Sequence, residues 1–416
     1  MVDIDLSYPP LQVWLHGEPI AKVHRDGRLL PVWVYEGSAL GDRPDGALLA
    51  SMSLPVRQAA YSAEECLPFL NGLLPEGTAR DRIEAAFRVR RGDVFGLLEA
   101  IGRDCAGALM LLDVDDDPDR PPDDEPASLT DKGIAALIAQ LPEAPLGADV
   151  GRPMSLAGTQ DKLLLTELAD GHFTLPGPGR PSTHLMKPEP RDAALAGMAA
   201  NEVWCQLVAQ GTDIPSAHAE LRLFGDRPAV LVQRFDRLRL GTGIVRVHQE
   251  DLTQAAAARD NRKYAYEGGP GLAVAARLLR RYAADPIHEL GLLAGHLVVK
   301  AVIGDGDWHA RNLSFVLEGG HARVAPVYDS LSTSDLTTWS GLGMSVGGIA
   351  EAPDLDRSAI RRELESWPMP RRAIDRTVAA TLSNLDEALA SATAMVPECP
   401  PLEEAARRRL ERLRDG

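Results

Sequence analysis

Alternating apolar and polar residues near the N-terminus predict short β-strands. Leu11–Leu15 alternates and meets a His16-Gly17 turn, and Pro31–Tyr35 predicts a second strand. Ser62 followed by Glu65 is typical of a capping box that begins a helix, and Asp93 is placed to cap another helix. The first hundred residues therefore predict strands followed by helices.

The middle of the chain returns to a β pattern. Residues 163–168 predict a strand, Asp170-Gly171 a turn and residues 172–175 the returning strand. Residues 183–187 predict a third strand, which Pro188 ends, and a helix that ends at Gly211 follows. Residues 229–233 predict a further strand. From Gln249 onward the pattern is mainly helical, and residues 402–413 predict a charged amphipathic helix.

Composition and charge narrow the function classes. The 416 residues include 60 acids and 44 bases, a net charge of −16, which argues against a protein that wraps nucleic acid by itself. The N-terminus lacks the pattern of a secretory signal. The best candidate for a membrane span, residues 290–303, is interrupted by His296 and Lys300. The four cysteines are far apart, which suits a reduced cytosol, so we expect a cytoplasmic protein without a membrane segment.

The densest group of chemically active residues follows the apolar segment 290–303. The order predicts a helix, a loop and a hairpin, in which Asn312 begins the first strand and Asp329 ends the second. A two-residue turn at Gly319-Gly320 would pair Asn312 with Val327, and a four-residue turn would place Asn312 opposite Asp329. In both cases two hard oxygen ligands lie near each other, as Mg²⁺ prefers.

Asp307 precedes Asn312 by five residues, the spacing of the protein-kinase catalytic loop. Phosphoryl transfer needs a carboxylate to orient the nucleophile and metal ligands to neutralise phosphate charge. The cluster Asp305, Asp307 and His309 also allows a metal-dependent hydrolase. A third possibility is a non-catalytic partner of a DNA-binding repressor.

Phosphate-binding residues are expected elsewhere. Residues 154–162 are small and polar, precede a strand and could offer backbone N–H groups to phosphate. Lys187 ends an apolar strand, where it could contact phosphate. Glu202 falls on the otherwise apolar face of the next helix and needs a partner. A Lys187–Glu202 pair would match the strand-lysine and helix-glutamate pair of kinases.

These residues, in this order, resemble the HipA family of serine/threonine kinase toxins. SLAGTQDK (155–162), HLMKP (184–188), QRFDR (233–237), GDGDWHARNLSF (304–315) and PVYDSLS (326–332) each resemble a family segment. So do FLNGLLPEG (69–77), FGLLEAIGRDCAGAL (95–109), NEVWCQLVA (201–209), HQEDLTQA (248–255) and KYAYEGGPG (263–271). The resemblance covers most of the chain.

The resemblance implies a role for each matching residue. It implies that Asp307 is the catalytic base and that Asn312 and Asp329 are the Mg²⁺ ligands. It implies that Ser155 is autophosphorylated, which ejects its loop and silences the kinase. The implied ATP-binding residues are Ala157, Gly158, Thr159, Gln160, Asp161, Lys162, Lys187, Gln233, Arg234, Phe235, His309, Ala310, Arg311, Asn312, Tyr328 and Asp329. Of these, Gln233, Arg234 and Phe235 form a hinge whose backbone would meet adenine.

The sequence departs from the family at several positions. Gln233 replaces the usual Glu, and Asp305-Gly306 replaces the common Asn-Thr. Trp308 replaces a small residue, and we expect it to alter the substrate mouth. The resemblance also implies partners: a helix-turn-helix antitoxin of the HipB type, DNA only through that antitoxin, and a protein substrate such as an aminoacyl-tRNA synthetase.

We therefore predict a two-lobed, protein-kinase-like α+β fold with a small β-rich N-terminal subdomain and a mainly helical C-terminal lobe. The predicted enzyme is an ATP- and Mg²⁺-dependent serine/threonine protein kinase. The expected divisions are an N-terminal subdomain at 1–112, an acidic connecting segment at 113–150, an N-lobe at 151–236 and a C-lobe at 237–416.

Overall fold

A computed structural model describes residues 2–41, 43–121, 126–141, 162–241, 243–259, 262–334, 340–368 and 370–415. The N-terminal subdomain is built on an antiparallel four-stranded sheet in the order β3-β2-β1-β4. Its strands are β1 (Leu11–Leu15), β2 (Glu18–Arg25), β3 (Pro31–Tyr35) and β4 (Leu109–Asp113). Its helices are α1 (Gly37–Gly41), α2 (Ala63–Gly72), α3 (Gly77–Ala86) and α4 (Val94–Ile101).

The predicted helix starts of this subdomain are confirmed. The Ser62 amide donates to Glu65 Oε2 at 2.9 Å, and Asp93 accepts from the Gly96 amide at 3.0 Å. Trp33 and Phe69 are fully buried, with their rings edge to face 5.9 Å apart, and they join the sheet to α2. Leu73, Leu74 and Ile83 belong to the same core, which therefore holds the link between α2 and α3.

The N-lobe contains a five-stranded antiparallel sheet in the order β6-β5-β7-β9-β8. Its elements are α5 (Asp131–Gln140), β5 (Leu163–Glu167), β6 (Phe173–Thr174), β7 (His184–Pro188), α6 (Met198–Gln210), β8 (Ala219–Phe224) and β9 (Arg227–Gln233). Helix α6 packs its buried Val203 and Trp204 into the main core together with Val230 of β9. The predicted strands and the predicted end of the helix at Gly211 are confirmed.

The C-lobe combines helices with small antiparallel sheets. Its helices are α7 (Leu252–Ala255), α8 (Leu272–Tyr282), α9 (Pro286–Ile303), α10 (Arg357–Glu365), α11 (Arg371–Met395) and α12 (Pro400–Asp415). Its strands are β10 (Arg237–Leu240), β11 (Gly243–Arg246), β12 (Gln249–Asp251), β13 (Ser314–Glu318), β14 (His321–Val324), β15 (Gly341–Val346) and β16 (Ile349–Glu351). The helical pattern from Gln249 is confirmed, but the hairpins β10–β11 and β15–β16 were not expected from the sequence.

Helix α9 is the central helix of the C-lobe. Its apolar residues, including Leu293, Leu297 and Val302, are buried against α8, α11 and α12. Among the described helices, α9 alone has the length and hydropathy of a membrane span, and 72% of it is buried inside the protein. Such burial on all sides is typical of a core helix.

Candidate functional site

The loop after α9 is held in a fixed shape. Gly304 ends the helix at φ +74°, and a Cβ there would overlap Arg409 and Ser334. The buried Lys300 Nζ donates to Asp305 Oδ2 at 2.7 Å and to the carbonyls of Tyr328 and Asp329 at 3.3 Å each. Lys300 therefore ties the loop to the end of the following hairpin.

Asp307 lies at the centre of this loop. Its amide donates to Asp305 Oδ1 at 3.1 Å, and its carbonyl accepts from Asn312 Nδ2 at 3.2 Å. Tyr264 donates its hydroxyl to Asp307 Oδ1 at 2.8 Å. Burial raises the pKa of Asp307 to about 6, although the Tyr264 hydrogen bond opposes that rise. At neutral pH the Asp307 side chain is thus mostly ionised, with a pKa just below the pH of the solution.

The hairpin brings Asp329 back to the start of the loop. Glu318 pairs with His321, so of the two turns considered, the structure has the two-residue turn at Gly319-Gly320 and not the four-residue turn that would place Asn312 opposite Asp329. The Tyr328 hydroxyl donates to the Arg311 carbonyl at 2.7 Å, which closes the open end of the hairpin. Asp329 itself has a φ of +50°, outside the usual range for a residue with a side chain.

The predicted Lys187–Glu202 pair is present. Lys187 Nζ lies 2.8 Å from Glu202 Oε1 and also contacts Asp329 Oδ1. Burial by itself lowers the pKa of Lys187, but the two carboxylates hold it above its ordinary value. Partial removal from water by itself raises the pKa of Asp329, but the ammonium groups of Lys187 and Lys300 hold it below its ordinary value. Lys187 is therefore a fixed cation that joins both lobes.

These side chains face one cavity of about 290 Å³ between the lobes. The predicted site residues that line it are Lys162, Lys187, Asp307, His309, Arg311, Asn312, Tyr328 and Asp329. Other lining residues include Glu76, Glu202, Asp251, Lys263, Tyr264 and Ser314. The cavity thus collects the three oxygen-bearing side chains predicted from the loop and the hairpin.

Lys162 is the second lysine of the N-lobe in this cavity. Burial and the nearby charge of Lys187 lower the pKa of Lys162 to about 7, and Asp329 and Glu76 oppose that change. The remaining residues predicted for the phosphate loop, 157–161, and Ser155 lie outside the described residues.

The side chains of the predicted hinge, residues 233–235, do not line the cavity. Gln233 is exposed, and its amide donates to the His218 carbonyl at 2.9 Å. The Arg234 guanidinium is buried and bonds Asp236 and Ser182, away from the cavity lining. The Phe235 ring lies 5.5 Å from the ring of Tyr328, which lines the cavity.

Two further residues singled out in the sequence, Trp308 and Ala310, are buried. Ala310 is buried, and its amide donates to the Lys263 carbonyl at 3.0 Å. Trp308 is only 4% exposed, and its Nε1 donates to the Asn312 carbonyl at 3.2 Å. The Trp308 side chain therefore does not line the cavity, and its effect on the substrate mouth stays a prediction.

The geometry disfavours the hydrolase alternative. Asp305 is buried and bound to Lys300, and it does not line the cavity that holds Asp307 and His309. Across the described part of the chain, no group of three or more His, Cys, Asp or Glu residues could hold a metal ion. The cluster Asp305, Asp307 and His309 is thus not a three-ligand centre.

Sequence reasoning missed three residues that line the cavity, Glu76, Lys263 and Tyr264, and it missed Lys300, which holds the loop without lining the cavity. Tyr264 and Lys263 lie in the segment 263–271 that carried the resemblance, without an assigned role. Lys300 could have been noticed, because a lysine within an apolar helix needs a buried acid. Glu76 gave no local signal, because its partners are far away in the sequence.

The fold and the cavity define a two-lobed α+β protein of the protein-kinase-like class. The sequence matches the HipA N-terminal domain over residues 11–112 and the HipA-like C-terminal domain over residues 154–389. The chain therefore belongs to the HipA family. The predicted family and fold class are confirmed.

Named relatives support this assignment. The chain is 34% identical over 381 residues to "Putative kinase Y4mE" of Sinorhizobium fredii, which covers 89% of this chain and 90% of the relative. It is 24% identical over 356 residues to "Serine/threonine-protein kinase toxin HipA" of Shewanella oneidensis, covering 81% and 78%. The matched chain in the solved complex of HipA, HipB and operator DNA from S. oneidensis MR-1 has the same fold as this chain. The TM-score is 0.80, the sequence identity is 21%, and 97% of each chain is covered.

Proposed function

We propose that this protein is a serine/threonine protein kinase that uses ATP and Mg²⁺. The observation that carries the proposal is that Asp307, Asn312, Asp329 and the Lys187–Glu202 pair meet at one cavity between two lobes. The names of the Sinorhizobium relative, "Putative kinase Y4mE", and of the Shewanella relative, "Serine/threonine-protein kinase toxin HipA", support it.

Asp307 orients the substrate hydroxyl and accepts its proton. Its raised pKa of about 6 leaves it ionised at pH 7, and a base with a pKa near the working pH is effective in proton transfer. The hydrogen bond from Tyr264 holds Oδ1, which leaves Oδ2 for the substrate. Positioning and electrostatics supply most of the rate in this reaction class.

Asn312 and Asp329 fit a magnesium ion. Asn312 Nδ2 is held by the Asp307 carbonyl, so the amide oxygen is the atom left for a cation. Together with the Asp329 carboxylate it gives two hard oxygen donors in one cavity. When bound there with ATP, Mg²⁺ neutralises charge on the phosphate oxygens.

The two lysines of the N-lobe bind the phosphates. Lys187 is held by Glu202 and keeps its charge, and Lys162 lies beside it in the same cavity. Residues 157–161 contribute backbone N–H groups, and the segment 233–235 contacts adenine through its backbone. Phosphorylation of Ser155 by the kinase itself silences it.

We further propose that the protein is the toxin of a toxin–antitoxin pair in the cytoplasm. The S. oneidensis protein with the same fold was solved in a complex with HipB and operator DNA. By analogy, a helix-turn-helix antitoxin binds this chain and makes the contact with DNA. The net charge of −16 is consistent with a basic DNA-binding partner. The substrate is a translation protein such as an aminoacyl-tRNA synthetase.

Radiolabelled ATP incubated with cell lysate tests the kinase activity. The parent protein should label a discrete protein band, and Asp307→Ala should label none while it still gains thermal stability from Mg-ATP. Equal labelling by both proteins would refute the role of Asp307. A hydrolase would instead gain no stability from the nucleotide.

A further inference from the structure

One carboxylate of the N-terminal subdomain lies in the cavity between the two lobes. Glu76 stands immediately before α3, and its side chain is 13% exposed. It lines the same cavity as Asp307 and Asn312. The N-terminal subdomain, which also supplies Gly72 and Ala106, thus contributes a charged group to a cavity lined mainly by the two kinase-like lobes.

Glu76 holds two cations from separate segments. Lys263 Nζ donates to Glu76 Oε2 at 3.1 Å, and Arg311 Nη1 lies 3.2 Å from Glu76 Oε1. The backbone of both partners is tied to the site. The Lys263 carbonyl accepts from Ala310, and the Arg311 carbonyl accepts from Tyr328. Glu76 therefore connects the two segments on either side of the catalytic loop.

Glu76 is the acidic side chain that Lys263 and Arg311 share. Among the described residues, five acidic side chains (Glu76, Glu202, Asp251, Asp307 and Asp329) and four basic ones (Lys162, Lys187, Lys263 and Arg311) line the cavity. Lys187 contacts Glu202 and Asp329, whereas Lys263 and Arg311 both contact Glu76. Like charges at short range in a partly dry site repel each other, so Lys263 and Arg311 depend on the carboxylate between them. Burial by itself raises the pKa of Glu76, but Arg311 and Lys263 hold it below its ordinary value, so the group is ionised. Without it, Lys263 and Arg311 would lose the ion pairs that hold their side chains beside the catalytic loop.

The N-terminal subdomain packs directly against the C-lobe near Glu76. Gln254 Nε2 donates to the Phe69 carbonyl of α2 at 3.0 Å. Gly72, at the end of α2, lies so close to the Gln254 side chain that a Cβ there would overlap it. Helix α2 thus packs directly against α7 of the C-lobe, and the short link to α3 positions Glu76.

We propose that Glu76 is a positioning residue for phosphoryl transfer, through which the docked N-terminal subdomain holds Lys263 and Arg311 beside the catalytic loop. This inference rests on the proposed kinase function. It means that the N-terminal subdomain is part of the active site, so the two lobes alone form an incomplete one.

Glu76→Gln tests this inference in the full chain. We expect kcat to fall about ten- to a hundredfold, as when catalytic groups lose alignment, with the KM for ATP within about twofold of the parent. Combined with Lys263→Met, the substitution should add little further loss, because both changes break the same contact.

Glu84→Gln is the matched control. Glu84 lies on α3, is buried, and bonds Arg80 at 3.1 Å and the Gly92 amide at 3.0 Å, all within the N-terminal subdomain. The Glu84→Gln substitution should lower the midpoint of thermal unfolding but leave kcat unchanged. If Glu76→Gln is insoluble, Glu76→Asp keeps the charge one methylene farther away and should lose kcat in the same direction.

The outcomes separate the two claims. Parent-like kcat in Glu76→Gln, or an equal loss of kcat in Glu84→Gln, would overturn the positioning role while leaving the kinase function intact. A parent protein that transfers no phosphate at all would overturn the proposed function, and this inference with it.

Discussion

Replacing Lys187 by Met should destabilise the protein through the carboxylates that it leaves behind. Lys187 Nζ lies 2.8 Å from Glu202 Oε1, and both side chains are less than a tenth exposed. Asp329, its other partner, keeps contact with the cavity and with water. The cost therefore falls mainly on Glu202, which would be a buried charge without a cation.

The expected magnitude follows from this burial. Removing one partner of a buried ion pair costs about 3–5 kcal/mol of unfolding free energy. The pKa of Lys187 is raised in the folded state, so the contribution of its charge is fully present at pH values below about 10.4 and is lost as the pH rises through the folded pKa. Lys187 is therefore charged at pH 7, and the low-pH limit of the pair is set by Glu202.

Without Lys187, Glu202 should take up a proton more readily. Burial already raises the pKa of Glu202, and the lost ammonium group had opposed that rise. A carboxyl group whose folded pKa is raised stabilises the fold as the pH falls. The difference between parent and Lys187→Met should consequently be smaller at pH 5 than at pH 7, and adding Glu202→Gln should restore part of the stability.

Urea denaturation followed by circular dichroism measures this effect. The transition that includes the N-lobe should shift to lower urea by about 1 M or more. Lys22→Met is the matched control: Lys22 pairs with Glu36 at 2.7 Å but is 35% exposed, so the cost should stay within about 1 kcal/mol. A Lys187→Met protein as stable as the Lys22→Met control would refute the reasoning.

Three further outcomes are expected. Tyr264→Phe should lower kcat about tenfold or more, because a hydrogen bond to the charged Asp307 is worth about 1.5–3 kcal/mol. An unchanged kcat in steady-state kinetics would contradict this. Asp329→Asn should weaken nucleotide binding at limiting Mg²⁺, and calorimetry should show that chelating Mg²⁺ weakens nucleotide binding by the parent in the same way. Equal nucleotide affinities of the parent and Asp329→Asn at limiting Mg²⁺ would contradict the assignment. Mass spectrometry after incubation with ATP should find phosphate on Ser155, and phosphate only at other residues would remove the autoregulatory proposal.

The central segment of the site could be predicted because its parts are close in sequence. Asp307, Asn312 and Asp329 belong to one helix, loop and hairpin, and the turn at Gly319-Gly320 decides which residues face each other. Glu202 could be paired with Lys187 because an acid on an apolar helix face needs a cation nearby.

The rest of the site depends on packing between distant segments. Glu76 and Lys263 are 187 residues apart, and Tyr264 reaches Asp307 across 43 residues. No local periodicity reports such contacts. Arg234 shows the same limit, because its buried guanidinium bonds Ser182 across 52 residues, while the contact of the hinge backbone with adenine stays a prediction. Local patterns therefore predicted the elements, while the tertiary fold decided which side chains reach the cavity.

A crystal structure with Mg²⁺ and a non-hydrolysable ATP analogue is the most direct test of the central claim. The account predicts the triphosphate in the cavity between the lobes, with the metal bound by the oxygens of Asn312 and Asp329 and a phosphate oxygen on Lys187. The terminal phosphate should face Asp307. A nucleotide bound outside this cavity, or a metal held by other residues, would contradict the account.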